Sequence, residues 1–156
     1  MPRKKLPYKE GDWFAVPLKQ GGYALGLAAR VTSGGGILGY FFAPRHDTIP
    51  VVEDTQGLRA DDAIFIGKFG DLGLLNDEWP IVYKPTECER TPWPMPAFGR
   101  VDGMEPSVAF RTVYNENSIN EALREDRVAP EVAKALPEDG VFGYVALELW
   151  VGRLLK

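Results

Sequence analysis

The residues that could do covalent or acid–base chemistry are few, because the chain has one histidine, His46, and one cysteine, Cys88. His46 lies in the polar run Pro44-Arg45-His46-Asp47, where Asp47 could orient an imidazole base, although neighbouring loop side chains often point apart. Cys88 is flanked by two glutamates, whose charges raise the pKa of a thiol and make it a poor nucleophile. A single histidine excludes a His-rich zinc site. We therefore predict no catalytic residue, no metal and no cofactor.

The run Gly34-Gly35-Gly36 is the one glycine-rich stretch that resembles a phosphate-binding loop. Such a loop needs a following Lys-Ser or Lys-Thr and the start of a helix, and neither follows here. The run is therefore interpreted as a hairpin turn.

Carboxylates are concentrated in two segments of the chain. Residues 53–89 hold nine acidic and three basic residues, a net charge of −6, and residues 115–148 hold eight and three, a net charge of −5. Since the whole chain carries −4, the remainder must carry +7. An acidic patch would attract a basic partner and accelerate its encounter. Alternatively, the same carboxylates solvate loops and helix N-termini.

Length and composition limit the class of protein. A chain of 156 residues with 45% hydrophobic residues predicts one soluble globular domain over residues 1–156. A pI of about 5.1 excludes a strongly basic nucleic-acid binder. The longest apolar stretch, residues 141–151, is too short to span a membrane, and no apolar signal core follows the basic residues 1–5. With one free cysteine, these features favour the cytoplasm.

Apolar runs of strand length separated by Gly and Pro turns predict a mainly β fold. We expect a strongly curved antiparallel sheet of at least six strands, or a small SH3-like barrel. Residues 44–61 and the proline-rich residues 85–97 are predicted to be loops. The predicted strands are Trp13–Leu18, Tyr23–Val31, Ile37–Phe42, Ala63–Phe69, Trp79–Lys84, Val108–Tyr114 and Val141–Val151.

One or two short helices are expected near residues 118–136. Ser118 and Glu121 fit a capping box, which predicts a helix through about Arg124. Pro130 at a first helical position, followed by an apolar stripe, predicts a second helix that stops before Pro137.

The order of these turn-and-strand patterns is similar to that of the immunity protein 26 family, which is encoded beside toxins in bacterial polymorphic toxin systems. The resemblance extends from about Lys9 to Leu155. It is carried by Gly11-Asp12, Phe14 to Leu18, Tyr23, Gly26, Gly39 to Phe42, Ile66-Gly67, Phe69 to Leu74, Trp79-Pro80, Trp93 to Pro96, Leu136-Pro137, Asp139-Gly140 and Gly143.

This resemblance implies a small, mainly β protein that binds and neutralises a cognate toxin domain as a stoichiometric inhibitor, with no catalytic residues and no cofactor. Charge and hydropathy, given above, exclude nucleic acid and membrane as partners. It names neither the toxin nor the oligomeric state. A basic nuclease is the kind of toxin that the acidic segments would suit. We predict toxin contacts at Asp71, Asp77 and Glu78, which flank a turn between two predicted strands, and at Trp93 in a loop that prolines restrain. Core packing of Trp93 is an equally open alternative, and Asp71 could instead cap the turn through a backbone hydrogen bond. Trp79, at a strand start, is expected to pack in the core.

Two other functions are compatible with the residues. A small β-barrel module could bind another protein or a ligand in housekeeping regulation. An enzyme would need a cleft that joins His46 to a second titratable group, and the lack of a catalytic motif around His46 and Cys88 disfavours it.

Overall fold

The computed structural model describes residues 6–156, so the basic start of the chain lies outside the described residues. Nine strands and three helices are formed in this range, with two 3-10 turns, Val52–Thr55 and Ala60–Asp62, between the third and fourth strands. The strands are β1 (Trp13–Pro17), β2 (Tyr23–Thr32), β3 (Gly36–His46), β4 (Ala63–Gly70), β5 (Ile81–Tyr83), β6 (Phe98–Val101), β7 (Ala109–Asn115), β8 (Ser118–Val128) and β9 (Val141–Phe142), and the helices are α1 (Leu72–Leu75), α2 (Pro130–Lys134) and α3 (Tyr144–Leu154).

Six strands form the main sheet, in the order β5-β1-β2-β3-β4-β9. All neighbours are antiparallel except β4 and β9, which pair in parallel. The tight turns before β2 and β3 contain Gly21 and Gly22, then Gly34 and Gly35, all with φ between 81° and 103°. Glycine adopts this left-handed region without the steric penalty of a Cβ, so these positions fix both hairpins.

The main sheet separates two apolar cores, because successive side chains of a strand point to opposite faces. Along β2, Ala24 and Ala28 enter one core, while Leu25 and Leu27 enter the other. The first core is closed by Trp79, α1 and α3. The second is closed by the connector before β6 and by the second sheet, whose order is β6-β7-β8.

The prediction of a mainly β fold is confirmed. The main sheet does not close into a barrel, because its end strands β5 and β9 lie at opposite edges and do not pair with each other. The sheet is also mixed rather than purely antiparallel, since β9 runs parallel to β4. The predicted loop connector at residues 85–97 and the helix that begins at Pro130 are confirmed.

The helix predicted from Ser118 to Arg124 is wrong, because this segment lies within β8. The preceding turn pairs Asn115 with Ser118, and the Asn115 side chain accepts a hydrogen bond from the Asn117 amide at 2.9 Å. This turn returns the chain along β7, and the ladder to β7 outweighs the weak local preference of a capping box.

The closing strand predicted from Val141 to Val151 is also wrong beyond its first two residues, since the chain enters α3 after Gly143. Leu147, Val151 and Leu155, four residues apart, are all buried and form the inner face of this helix. A short apolar run does not distinguish a buried strand from a helix by periodicity alone.

None of the helices within residues 6–156 combines the length and the apolar character that crossing a membrane requires.

Candidate functional site

Asp77 and Glu78 lie in the turn that ends α1, and both side chains are exposed. The Glu78 amide donates to the carbonyl of Gly73 at 3.0 Å, and the Asp77 amide donates to the carbonyl of Leu74 at 3.3 Å. This is the Schellman arrangement, in which the residue after the C-cap takes the left-handed conformation, and Asp77 accordingly has a φ of 60°. Neither carboxylate has a hydrogen bond or ion pair to a residue of 6–156. The turn therefore presents two carboxylates in a fixed position, without a charged partner among residues 6–156.

Asp71, the third predicted acidic contact, differs from this pair because it is only 8% exposed. Its Oδ2 accepts a hydrogen bond of 2.6 Å from the Tyr8 hydroxyl. Burial, together with this bond and the negative charge, raises the pKa of Tyr8. Asp71 thus ties the start of α1 to the N-terminal segment, and its carboxylate is not presented to solvent as Asp77 and Glu78 are.

Trp93 lies on the opposite face of the main sheet from α1. It is half-buried, and its ring packs against the rings of Trp13, Tyr40 and Phe42 at 5.7, 5.3 and 5.8 Å. The Tyr40 hydroxyl donates to the carbonyl of Pro94 and so fixes this loop against the main sheet. Burial raises the pKa of Tyr40 to about 12. The structure therefore does not bring Trp93 together with the acidic residues of the α1 turn.

Trp79, which follows the acidic pair, connects α1 to α3. It is 1% exposed, as its predicted core position requires. Gly73 of α1 lies directly against the indole, where a Cβ would come within 2.5 Å of the ring. On the other side the indole Nε1 donates to Glu148 of α3 at 3.0 Å, and the ring contacts Tyr144. Both helices therefore cover one buried indole, and we call their outward side chains the α1–α3 surface.

That surface is partly apolar, which the sequence reading did not predict. Leu72 and Leu75 of α1 are 52% and 41% exposed. On α3, Val145 and Leu149 are 53% and 41% exposed, and Trp150 is 37% exposed. These five side chains are only partly covered within residues 6–156. The sequence does carry a signal for these exposed residues. Leu147, Val151 and Leu155 recur every four residues, so a helix that buries them leaves the apolar residues between them on its outer side.

Many other carboxylates of the acidic segments serve the fold. Asp139 accepts hydrogen bonds from Lys68 Nζ at 2.9 Å and from the Tyr114 hydroxyl at 2.6 Å. The ammonium group also lies 3.7 Å from the centroid of the Tyr114 ring. Nothing local in the sequence indicates this buried cluster, since Lys68 and Asp139 are 71 residues apart. Further partnered carboxylates are Glu116 with Arg30, Glu125 with Arg100 and Asp126 with Arg111 and Arg124.

A second ion pair, between Glu10 and Arg90, holds the connector before β6. The guanidinium Nε and its second terminal nitrogen donate to the two carboxylate oxygens at 2.9 and 3.0 Å. Burial acts to raise the pKa of Glu10, but the hydrogen bonds and charge of Arg90 outweigh it and lower the pKa.

The lone cysteine and histidine stay apart. Cys88 is an exposed residue whose sulfur is partly covered by its neighbours. This partial burial, together with the charge of Glu10, raises the pKa of the thiol. Glu10 therefore has the effect that we assigned to the two glutamates beside Cys88. His46 ends β3 opposite Tyr23 in the ladder with β2. No group of three or more His, Cys, Asp or Glu residues that could hold a metal ion occurs in the part of the chain that the structure describes.

A model of one protein family, described as Immunity protein 26, matches residues 9–108. The matched range extends from the N-terminal segment through β6 and includes all four predicted contact residues. The residues quoted from Leu136 onward for the resemblance lie outside it. Comparison with curated proteins and with solved structures gives no match.

Proposed function

This chain belongs to the immunity protein 26 family, and we propose that it binds a cognate toxin domain in a stoichiometric complex and neutralises it without catalysis. The observation that carries the proposal is the family match over residues 9–108. Inhibition of this kind needs a complementary surface rather than a proton-transfer group. The lone cysteine suits the cytoplasm, where we expect the toxin to be met.

We infer that the toxin is a basic domain, such as a nuclease, and that Asp77 and Glu78 form the acidic rim of its binding site. Three observations support this choice. Both carboxylates are exposed, the turn holds them in a fixed position, and neither has a charged partner within residues 6–156. A nuclease must attract a polyanionic substrate, so its active site carries positive charge. Two fixed carboxylates at this turn would attract such a surface from a distance and increase the association rate.

Asp71 and Trp93 take different roles in this proposal. Asp71 stabilises the turn indirectly, because its hydrogen bond from the Tyr8 hydroxyl fixes the start of α1. Trp93 would take part only in a toxin contact that reaches the opposite face of the main sheet. Asp77 and Glu78 are therefore the first residues to test.

The test uses the product of the neighbouring gene that carries a C-terminal toxin domain. We expect this domain to co-purify with the chain and to lose its activity at one equivalent of the chain. The double variant Asp77→Asn with Glu78→Gln should lower the association rate several-fold and leave the melting temperature within a few degrees. Glu131→Gln, an exposed acid on α2, is the matched control and should bind as the wild type does. A toxin that stays active beside excess chain would refute the proposal.

A further inference from the structure

The first half of β4 has an open edge in the main sheet. One side of β4 pairs with β3 along its whole length, whereas on the other side β9 pairs only with Lys68 and Phe69. On the side away from β3, residues Ala63 to Gly67 have no paired strand residue within residues 6–156, and no turn or loop hydrogen bond reaches their backbone. An unpaired strand edge of this kind can accept another strand.

Other edges in the described structure are short, covered or charged. β5 has three residues, and β6 is covered by hydrogen bonds between Gly99 and the segment at Pro137 and Asp139. β8 exposes a long edge, but its side chains include three acids and two arginines, which discourage pairing. The open part of β4 reads Ala-Ile-Phe-Ile-Gly and has neither charge nor proline. Its pairing with β3 shifts at Ile64 and is regular from Phe65 to Gly67.

A groove of about 420 Å³ lies beside this edge. Phe65 on the strand and Trp150 on α3 contact each other with ring centroids 6.3 Å apart, and Leu136 and Pro137 line another side. Among the described residues that line the groove, Glu138 is the only charged one. The groove thus combines unpaired backbone groups, apolar walls and one negative charge.

We propose that this groove binds an extended segment of the toxin. The segment pairs as an added strand with the first half of β4, on the side of β4 where β9 lies. Only an extended chain supplies the N–H and C=O groups that the edge lacks, and the walls select apolar side chains. The negative charge of Glu138 complements a lysine or arginine of the same segment. The inference rests on the proposed function, since it names the contact by which the toxin is held.

The groove and the acidic turn border the same helix. On α3, Glu148 accepts the bond from Trp79 beside the acidic turn, while Trp150 contacts Phe65 in the groove. The acidic turn and the groove therefore lie on two flanks of α3, and the strand contact is tested independently of the charge contact.

Hydrogen–deuterium exchange on the full chain, alone and with the toxin domain, tests the added strand. In the complex, the outward amides between Ala63 and Gly67 should exchange at least tenfold more slowly than in the free chain. The edge amides of β8 should exchange equally in both samples and serve as the internal control. A toxin that binds without slowing exchange at residues 63–67 overturns the inference and leaves the proposed function standing.

Trp150→Ala and Leu123→Ala form a matched pair of variants. Trp150→Ala should weaken toxin binding at least tenfold, while Leu123→Ala, which truncates a 61% exposed leucine on β8, should not change it. Melting temperatures identify any loss of folding, and the exchange measurement on the wild type does not depend on the variants. Equal binding by both variants would overturn the groove contact. A free chain that dimerises with protection at residues 63–67 would assign the edge to a second copy instead. A toxin that does not bind at all removes both proposals.

Discussion

At the scale of single residues, Asp77 combines an unfavourable backbone conformation with an exposed charge. Its φ of 60° lies in the left-handed region, which costs residues with a Cβ about 1 kcal/mol relative to glycine. Asp77→Gly should therefore raise the melting temperature by a few degrees, while it slows toxin association as the loss of a rim charge does. Thermal unfolding and association kinetics on the same samples measure both effects.

Asp77→Asn separates the two effects, because asparagine tolerates the left-handed conformation and lacks the charge. Its melting temperature should stay close to that of the wild type, and its association rate should match that of Asp77→Gly. If Asp77→Gly destabilised the chain, the Schellman turn would not be the strained element that we describe.

Asp139 links stability to pH. Burial acts to raise the pKa of its carboxyl, but the bonds from Tyr114 and Lys68 outweigh burial and lower the pKa below its ordinary value of 3.8. Because the folded pKa lies below the unfolded one, the stabilisation is complete above about pH 5 and is lost as pH falls through the folded pKa. Urea unfolding between pH 2 and pH 7 should show this loss in the wild type.

Asp139→Asn should change that profile in two ways. At pH 7 it leaves the buried Lys68 without a counter-charge, which costs up to about 3–5 kcal/mol. The free energy of unfolding of this variant should also fall less on acidification than that of the wild type. The remaining fall comes from Glu10, whose pKa is also lowered in the folded chain. Parallel acid profiles for the two proteins would contradict the assignment to Asp139.

At the scale of elements, the contact between α2 and β6 depends on Gly99. A Cβ at this position would clash with the carbonyl oxygen of Ala133, a backbone atom that moves only with the helix. Gly99→Ala should cost about 1–3 kcal/mol through overpacking. Gly103→Ala is the control, since a Cβ there meets no atom within 4 Å. Equal denaturant midpoints for the two variants would show that α2 adjusts freely.

At the scale of the whole molecule, the function that we propose needs shape and charge but no reactive group. His46 ends β3 opposite Tyr23, and the Cys88 thiol donates to Glu10 at 3.7 Å, so neither residue lies on α1, on α3 or in the turn at Asp77. His46→Ala and Cys88→Ala should therefore neutralise the toxin within a few-fold of the wild type in an activity titration. A folded His46→Ala variant that fails to protect would restore the enzyme hypothesis or show a direct histidine contact.

The proposed contact of Asp77 and Glu78 with a basic toxin predicts salt-sensitive association. Raising the ionic strength to 1 M shortens the Debye length to about 3 Å and should slow toxin association markedly. The double variant Asp77→Asn with Glu78→Gln should show a weaker dependence on salt. An association rate that does not change with salt would exclude electrostatic steering by this turn.

The sequence by itself determined the family resemblance, the mainly β class and the first four strands of the main sheet. These features are local: glycine pairs fix the hairpins at residues 21–22 and 34–35, and apolar runs of strand length lie between them. The exposed positions of Asp77 and Glu78 followed for the same reason, because a turn between two buried elements points its polar side chains outward.

Only the tertiary structure decided the parts that depend on distant partners. β8 is a strand because β7 lies beside it, although Ser118 and Glu121 locally favour a helix start. Asp71 is buried because Tyr8, 63 residues earlier, donates to it, and Trp93 is separated from the acidic turn by the whole main sheet. The open edge of β4 likewise depends on where β9 stops. Such contacts are set by the packing of elements against each other, which no local pattern encodes.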